Sequence, residues 1–146
     1  MKHKALAYIT RQHDGQTQLL VFKHRDFPEA GVQIPAGTVE PGEPVEAALF
    51  REIREESGLT GEQVRLVRKL AEFPNPAWGN VRHVFHLVAT VDLPERWEWL
   101  TNDYNDEEAR ARDERLVFCF YWADLGVELS GRQGLWLHLI EQRNLT

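Results

Sequence analysis

Cysteine is nearly absent from this 146-residue sequence, in which Cys119 stands alone. A single cysteine excludes a disulfide framework within one chain. We expect this thiol to be buried and structural, because it lies in the apolar run LVFCFYW. A zinc motif is also missing, since His83 and His86 lack helical metal-ligand spacing and no Cys/His cluster exists.

Long apolar runs and excess positive charge are missing too. No stretch approaches the roughly 20 apolar residues of a membrane span, and MKHKALAYIT lacks the longer apolar region of a signal peptide. The 23 acidic residues outnumber the 17 basic ones, for a net charge of −6. We therefore expect a cytoplasmic protein that binds no membrane and no nucleic-acid polymer. An anionic substrate would need a local cation, either a basic side chain or a bound metal.

The chain contains no internal repeat and no low-complexity linker, and its length predicts a single domain over residues 1–146. KALAYIT and QLLVFKH read as strands joined by a hairpin turn at Asp14-Gly15. DFPEAGVQIPAG predicts a loop that carries a short strand near residues 31–34. A helix follows from about Pro44 to Ser57, and Gly58 is suited to ending it.

The second half of the chain predicts further strands and a second helix. QVRLVRKLAEF and NVRHVFHLVATV read as antiparallel strands joined by PNPAWG. We interpret RWEWLTNDYNDEEARARDER as a long polar connection with a helical turn over residues 106–112. RLVFCFYWADL is suited to a central strand and GLWLHLIEQRN to a closing amphipathic helix, with Trp122 and Trp136 in the core. These elements predict an α/β fold with a mixed sheet sandwiched between helices.

The first predicted helix carries acid where its apolar stripe should continue. At about 100° per residue, the stripe through Val45, Ala48 and Leu49 leads to Glu52 and Glu56 one turn later. These carboxylates therefore replace part of the face that should meet the core.

Local energetics oppose this arrangement. Glu52 forms like-charge pairs with Glu55 and Glu56, each costing about 0.2–0.5 kcal/mol, and acids near a helix C-terminus oppose its dipole. One reading is a solvated acidic helix end. The other is a metal site, because three hard oxygen ligands on one face are suited to Mg²⁺, with Mn²⁺ as an alternative. The residues before the helix decide between the two readings.

The segment before the helix excludes one motif and matches another. Gly37 and Gly42 have the glycine spacing of a phosphate-binding P-loop, but Glu43 and Pro44 stand where its Lys and Ser or Thr would be. The segment instead fits Gly-x5-Glu-x7-Arg-Glu-U-x-Glu-Glu-x-Gly-U, where U is aliphatic. All nine defined positions are filled, by Gly37, Glu43, Arg51, Glu52, Ile53, Glu55, Glu56, Gly58 and Leu59. The chain resembles the Nudix hydrolase family through this complete Nudix box.

The resemblance implies a fold, an activity and a set of roles. Nudix proteins have an α/β/α sandwich with the box as a loop–helix–loop, and hydrolyse a pyrophosphate bond in a nucleoside diphosphate linked to another group. Carried over, the metal ligands would be Glu52, Glu55 and Glu56, with the carbonyl of Gly37. The carboxylates would be oriented by Arg51 with the help of Glu43.

The residue that accepts the proton of the attacking water is left open by the resemblance, because it varies across the family. It is either a box glutamate or an acid from another loop. Outside the box our candidate is Glu114, which lies just before a late strand. Asp113, Glu107 and Glu108 are close rivals, and a plain surface charge is an equally good reading of Glu114.

Substrate contacts are predicted from basic and aromatic residues outside the box. Arg25, which follows a strand and precedes the box, is placed to reach a phosphate, although a solvated turn fits equally well. Trp78 could stack against a base, as could Trp97 and Trp99. Packing or plain exposure is the alternative for each tryptophan.

The leading hypothesis is a Mg²⁺-dependent pyrophosphohydrolase acting on a small nucleotide-type substrate. Nucleoside triphosphates, ADP-ribose, nucleotide sugars and dinucleoside polyphosphates all remain open as substrates. The alternative is a non-catalytic nucleotide-sensing domain with the Nudix fold. A Nudix-fold isomerase has no support in the sequence. We expect a monomer or a homodimer, and RWEWL is a segment that could support dimerisation.

Overall fold

A mixed sheet of seven strands forms the centre of the computed structural model, which describes residues 1–140. The strands are β1 (Lys2–His13), β2 (Gln16–His24), β3 (Ala36–Thr38), β4 (Val64–Asn75), β5 (Asn80–Ala89), β6 (Arg96–Tyr104) and β7 (Arg115–Asp124). The helices are α1 (Val45–Ser57) and α2 (Glu107–Ala111). None of the helices in this range has the length and apolar character needed to cross a membrane.

The strand order is β4-β5-β1-β2-β7-β6, and β3 pairs with the first half of β1. The β1–β5 pair is parallel, whereas the other pairs are antiparallel. The predicted hairpins are confirmed: Asp14 and Gly15, both with positive φ, join β1 to β2, and residues 76–79 join β4 to β5. The mixed sheet confirms the predicted α/β class.

Strand β1 separates two apolar layers, because successive side chains point to opposite faces of a sheet. Ala5, Ala7 and Ile9 pack in the cluster that includes Leu49 and Ile53 of α1. The alternate residues pack on the other face against the segment after β7, in a cluster that includes Leu6, Tyr8, Leu129, Trp136, Leu137 and Ile140.

The short strand predicted near residues 31–34 lies instead at Ala36–Thr38. Gln33 and Phe22 form an isolated bridge and exchange two backbone hydrogen bonds of 2.9 Å. Pro35 follows with no N–H to donate, so regular pairing begins only at Ala36. This shift brings the start of the Nudix box into the sheet, next to β1.

Residues 96–104 form strand β6, so the prediction of a connection throughout this segment was wrong. Trp97 stacks on Phe120 of the neighbouring β7, with ring centroids 5.1 Å apart. An edge strand with one solvated face has the polar, alternating sequence that was interpreted as a loop. The predicted helical turn over 106–112 is confirmed as α2, which is capped by Asp106 through the Ala109 N–H at 2.8 Å.

The predicted closing helix is wrong over residues 134–140, where turns lead into a short 3₁₀ helix at Leu137–Leu139. Tyr8 provides the physical reason. Its hydroxyl donates to the carbonyl of Gln133 and accepts the N–H of Trp136 at 3.4 Å, so a core side chain fixes the backbone at the start of the predicted helix. The remainder of the predicted helix lies outside the described residues.

Two burial predictions also need correction. Cys119 is half-buried, because it lies on β7 between the exposed residues Lys23 of β2 and Glu98 of β6. Trp122 is half-buried too, under the guanidinium of Arg11 at 4.4 Å from its ring centroid. Trp136 is buried as predicted.

Candidate active site

The C-terminal half of α1 lies directly against β3, and a glycine makes this contact possible. A Cβ atom added to Gly37 would stand 2.0 Å from Cδ of Glu52. No real pair of such atoms approaches so closely. The first glycine of the box is therefore required for the position of the Glu52 carboxylate, and not only for a turn.

Glu56 is the most buried of the box carboxylates, with 9% of its surface exposed. Its Oε1 accepts the N–H of Ala36 at 2.8 Å. Burial raises the pKa of Glu56 well above its usual value, and the nearby carboxylates of Glu52, Asp103 and Glu55 raise it further. The fold thus holds an acid where its ionised form is poorly compensated.

Arg51 binds three box carboxylates at once. Its guanidinium forms a two-point contact with Glu43, and Nη1 donates to Oε1 of Glu52 at 2.7 Å and to Oε2 of Glu55 at 3.2 Å. Nη2 also donates to the carbonyl of Thr38 at 3.0 Å. One cation therefore joins the loop before α1 to the acidic face of the helix.

Glu43 and Glu52, which both contact Arg51, have pKa values shifted in opposite directions. Hydrogen bonds from Arg51 lower the pKa of Glu43 to about 2, with help from the backbone N–H of Glu40. The pKa of Glu52 is raised instead, because burial outweighs its contact with Arg51. Glu43 is thus held as an anion, whereas Glu52 and Glu56 would gain from an added cation.

Two tryptophans of β6 bind the C-terminal carbonyls of α1. Trp97 Nε1 donates to the carbonyl of Ser57 at 3.0 Å, and Trp99 Nε1 donates to that of Glu55 at 2.9 Å. These carbonyls lack partners within the helix. Gly58 ends the helix at φ 80°, and a Cβ there would lie 2.6 Å from the Trp99 ring.

The box carboxylates line an open cavity of about 380 Å³ together with Asp103. The lining residues are Ala36, Gly37, Thr38, Glu40, Arg51, Glu52, Glu55, Glu56 and Asp103. Asp103 was not predicted as a site residue, because its segment was interpreted as a connection. The alternation in WEWLTND was the available signal, since it places Trp97, Trp99 and Asp103 at every second position of β6.

Glu114 is not among the residues that line this cavity. It pairs with Arg112 at the surface, Oε1 to Nε at 2.7 Å. Asp113 accepts the hydroxyl of Tyr104 at 2.6 Å. Glu107 and Glu108 are exposed in the first turn of α2. The structure therefore brings Asp103, and none of these four acids, to the cavity wall.

Arg25 and Trp78 also lie outside this cavity. Arg25 pairs with Asp26 at 3.3 Å and with Glu98 at 3.5 Å. Trp78, in the β4–β5 turn, lies under the guanidinium of Arg82, whose Cζ is 4.4 Å from the ring centroid. A larger cavity of about 550 Å³, bounded in part by Arg11 and Trp122, contains no box residue.

The donor set fits a divalent cation, although the side chains are not arranged as a cage. Among residues 1–140, no three His, Cys, Asp or Glu side chains form a ready metal-binding group. Arg51 accounts for this, because a cation would compete with it for Glu52 and Glu55. Carboxylate and carbonyl oxygens suit Mg²⁺ or Mn²⁺, and the ionised form of the buried Glu56 is only partly compensated, by the N–H of Ala36.

A mixed sheet with the acidic end of one helix held against a short central strand defines a Nudix-type α/β domain. The chain belongs to the NUDIX domain family, whose model matches residues 1–131.

The matched relatives include longer proteins. Over 86 residues the chain is 38% identical to the NAD-capped RNA hydrolase NudC of Mycobacterium bovis, which covers 59% of this chain and 26% of that protein. The chain therefore spans about a quarter of the length of this curated relative.

Two solved structures share the fold across most of the chain. The Ap4A hydrolase of C. elegans has a TM-score of 0.64 at 17% identity, covering 95% of this chain and 94% of that one. An ADP-ribose pyrophosphatase from Streptococcus suis has a TM-score of 0.58 at 16% identity, covering 94% and 87%. At such identities the likeness concerns the fold alone.

Proposed function

We propose that this chain hydrolyses a pyrophosphate bond in a nucleoside diphosphate linked to another group, using Mg²⁺ or Mn²⁺. The observation that carries the proposal is the cavity in which the buried Glu56 meets Glu52, Glu55 and Asp103. The NUDIX domain and its structural neighbours support a pyrophosphohydrolase.

The cation would be held by Glu52, Glu55 and Glu56, with the carbonyl of Gly37 as a further ligand. A bound divalent ion neutralises pyrophosphate oxygens and lowers the pKa of a coordinated water. The protein contributes the position of the ligands: Gly37 leaves room for Glu52, and Ala36 fixes one oxygen of Glu56.

Arg51 and Glu43 act as positioning residues in this proposal. Glu43, held as an anion, fixes the guanidinium of Arg51, which in turn keeps Glu52 and Glu55 near the cavity. Without Arg51 the carboxylates would repel one another across about one helical turn. Neither residue needs to contact the substrate.

Asp103 is our structural candidate for accepting the proton of the attacking water, alongside the box glutamates. It lines the cavity and is close enough to raise the pKa of both Glu52 and Glu56. Glu114, the candidate from sequence, is paired with Arg112 elsewhere. General-base catalysis requires hydrogen-bond reach of the water, which favours the acid on the cavity wall.

The relatives suggest substrates to try, because their names include NAD-capped RNA, Ap4A and ADP-ribose. The first of these is a nucleic-acid polymer with a nucleotide cap. The prediction that only small nucleotides are substrates therefore has to be tested with a capped RNA.

Three further predictions from the sequence stay predictions: a cytoplasmic location, a single domain, and a monomer or homodimer.

The test is product analysis with wild type and Glu56→Gln in Mg²⁺. The panel holds nucleoside triphosphates, ADP-ribose, nucleotide sugars, dinucleoside polyphosphates and an NAD-capped RNA. Glu56→Gln removes a charge and almost no volume, so we expect turnover to fall by at least about a hundredfold. Glu46→Gln, on the exposed first turn of the same helix, is the matched control and should retain wild-type activity.

The outcomes distinguish pyrophosphate hydrolysis from non-catalytic nucleotide sensing, the two functions that the sequence predicts. Cleavage by wild type and Glu46→Gln, with loss in Glu56→Gln, supports hydrolysis at this metal site. Equal rates in wild type and Glu56→Gln at saturating Mg²⁺ contradict the site. No cleavage of any substrate would favour the nucleotide-sensing domain.

A further inference from the structure

A second cavity, of about 190 Å³, adjoins the acidic one. Ala36, Gly37 and Glu56 line both, so only this short wall separates them. The remaining lining residues are Lys4, Leu6, Gln33, Ile34, Arg82 and Gln133. The second cavity thus has two cations and one carboxylate, whereas the first is dominated by acids.

The two cations are neighbours by strand register. Lys4 of β1 and Arg82 of β5 are directly paired positions in the parallel ladder. Like charges placed opposite each other destabilise a sheet. No ion pair to a carboxylate is found for either residue among the described part of the chain. An arrangement that breaks a local rule without a carboxylate to balance the two charges indicates a binding role.

Arg82 is held in place yet incompletely satisfied. Its guanidinium stacks 4.4 Å from the Trp78 centroid, and Nη1 donates to the carbonyl of Arg132 at 3.3 Å. Its Nε is buried and has no hydrogen-bond partner within residues 1–140. A buried donor without an acceptor is costly. Burial also lowers the pKa of Arg82, so its charged form would gain from an anion.

The chemistry of this pair matches a phosphate group. A guanidinium and an ammonium side by side offer several charge-assisted donors to tetrahedral oxygens. The side-chain amide of Gln133 is already engaged, since its Oε1 accepts the N–H of Ile34 at 2.9 Å. The one carboxylate of the cavity, Glu56, has Oε1 bound by Ala36.

We propose that Lys4 and Arg82 bind a phosphate of the substrate beyond the diphosphate that is cleaved. This inference rests on the proposed function, and it selects substrates with three or more consecutive phosphates over those with two. The cleaved bond would lie at the acidic cavity, and the additional phosphate would extend past Gly37 to the basic one. Nucleoside triphosphates and dinucleoside polyphosphates have this feature, whereas ADP-ribose and nucleotide sugars lack it.

The first experiment measures binding without metal and without turnover. Isothermal calorimetry with inorganic tripolyphosphate, in the presence of a chelator, compares wild type with Lys4→Ala and Arg82→Gln. We expect each variant to lose about tenfold or more in affinity. Lys2→Ala, two residues earlier on β1 and exposed, is the matched control and should bind like wild type. Wild-type affinity in Lys4→Ala and Arg82→Gln would overturn the proposal.

Folding of the Arg82 variant is controlled separately, because the side chain is half-buried. Arg82→Lys keeps the charge and should retain more affinity than Arg82→Gln. Thermal unfolding of both shows whether they are folded at the temperature of the titration. If Arg82→Gln is unfolded at that temperature, the affinity of Lys4→Ala for tripolyphosphate alone tests the proposal.

The second experiment compares KM for a nucleoside triphosphate and for ADP-ribose. Lys4→Ala should raise the triphosphate KM about tenfold and leave that of ADP-ribose unchanged. An equal rise for both substrates, or none for either, would overturn the proposed role. If wild type cleaves nothing, the proposed hydrolysis fails, and the tripolyphosphate titration still decides whether Lys4 and Arg82 bind phosphate.

Discussion

Arg51 contacts Glu43 through two parallel hydrogen bonds, Nε to Oε2 at 2.8 Å and Nη2 to Oε1 at 2.9 Å. Only a guanidinium has the planar fork for this geometry while a further nitrogen reaches Glu52 and Glu55. The arginine of the box is therefore required as an arginine, and not merely as a positive charge.

Arg51→Lys tests this requirement. A lysine keeps the charge but cannot bind Glu43 at two points and the other carboxylates together. We expect turnover to fall about tenfold or more and the free energy of unfolding to fall by about 1 kcal/mol, a value reduced by solvent screening. Urea unfolding and steady-state kinetics measure the two effects. Arg54→Lys, exposed on the same helix, should change neither, and equal behaviour of both variants would refute the assignment.

Gly37→Ala tests the close approach of β3 to Glu52. The new methyl group would occupy the position of the carboxylate, 2.0 Å from its present Cδ. Because Glu52 can rotate away, we expect the melting temperature to change little while turnover falls about a hundredfold. Gly61→Ala, where a Cβ meets nothing within 4 Å, is the control. Normal turnover in Gly37→Ala would mean that the position of Glu52 is unimportant.

Asp103→Asn and Glu114→Gln compare the acid found on the cavity wall with the one chosen from sequence. Loss of a general base costs about a hundredfold or more in kcat. We expect this loss in Asp103→Asn and wild-type rates in Glu114→Gln, because Glu114 is paired with Arg112 at the surface. Single-turnover kinetics under saturating metal make the comparison. The reverse result would return the role to Glu114.

Trp99→Phe tests the hydrogen bond between β6 and the end of α1. Phenylalanine keeps an aromatic ring on β6 but leaves the Glu55 carbonyl without its indole donor. The expected loss is about 1 kcal/mol in the free energy of unfolding, measured by urea denaturation. Phe73→Leu, a conservative change of an exposed aromatic on β4, serves as the comparison. A free energy of unfolding equal to that of wild type in Trp99→Phe would show that the indole hydrogen bond adds nothing.

Because His86 is buried, we expect part of the free energy of unfolding to be lost at acid pH. It is 3% exposed, and burial, followed by the charges of Arg68 and Arg65, lowers its pKa to about 4. Between that value and the usual pKa of about 6.5, the unfolded chain binds a proton that the folded chain does not. Stability therefore falls as the pH falls through this window.

His86→Gln should remove this component. The difference in unfolding free energy between neutral pH and about pH 4.5 should shrink by about 2 kcal/mol, after allowing for residual solvent. His13→Gln, at an exposed histidine, should leave the difference unchanged. An unchanged pH dependence in His86→Gln would mean that His86 is protonated in the folded protein.

The sequence was sufficient for the parts of the site that are contiguous in the chain. The glutamates, Arg51 and the helix end at Gly58 follow from spacing within α1 and its flanking loops. The hairpin at Asp14-Gly15 is likewise local. Helical periodicity and turn chemistry act over a few residues, so both features can be predicted without knowledge of the tertiary fold.

The parts contributed by sheet pairing could not be predicted in this way. Asp103 reaches the cavity because β6 pairs with β7 at the edge of the sheet. Lys4 and Arg82 meet because β1 and β5 are parallel neighbours. The backbone at the start of the closing segment is bound by the hydroxyl of Tyr8, a residue from the opposite end of the chain. Each outcome depends on a long-range partner that no local pattern specifies.

The two indole contacts from β6 have a consequence for biosynthesis. Trp99 and Glu55 lie 44 positions apart in the chain, so the helix emerges from the ribosome long before the strand that binds its end. A nascent chain that stops short of residue 96 would contain every residue of the Nudix box and still lack Asp103 in the wall of the acidic cavity. Because distant contacts form late in folding, we expect the carboxylates to reach their final positions only after β6 and β7 have joined the sheet.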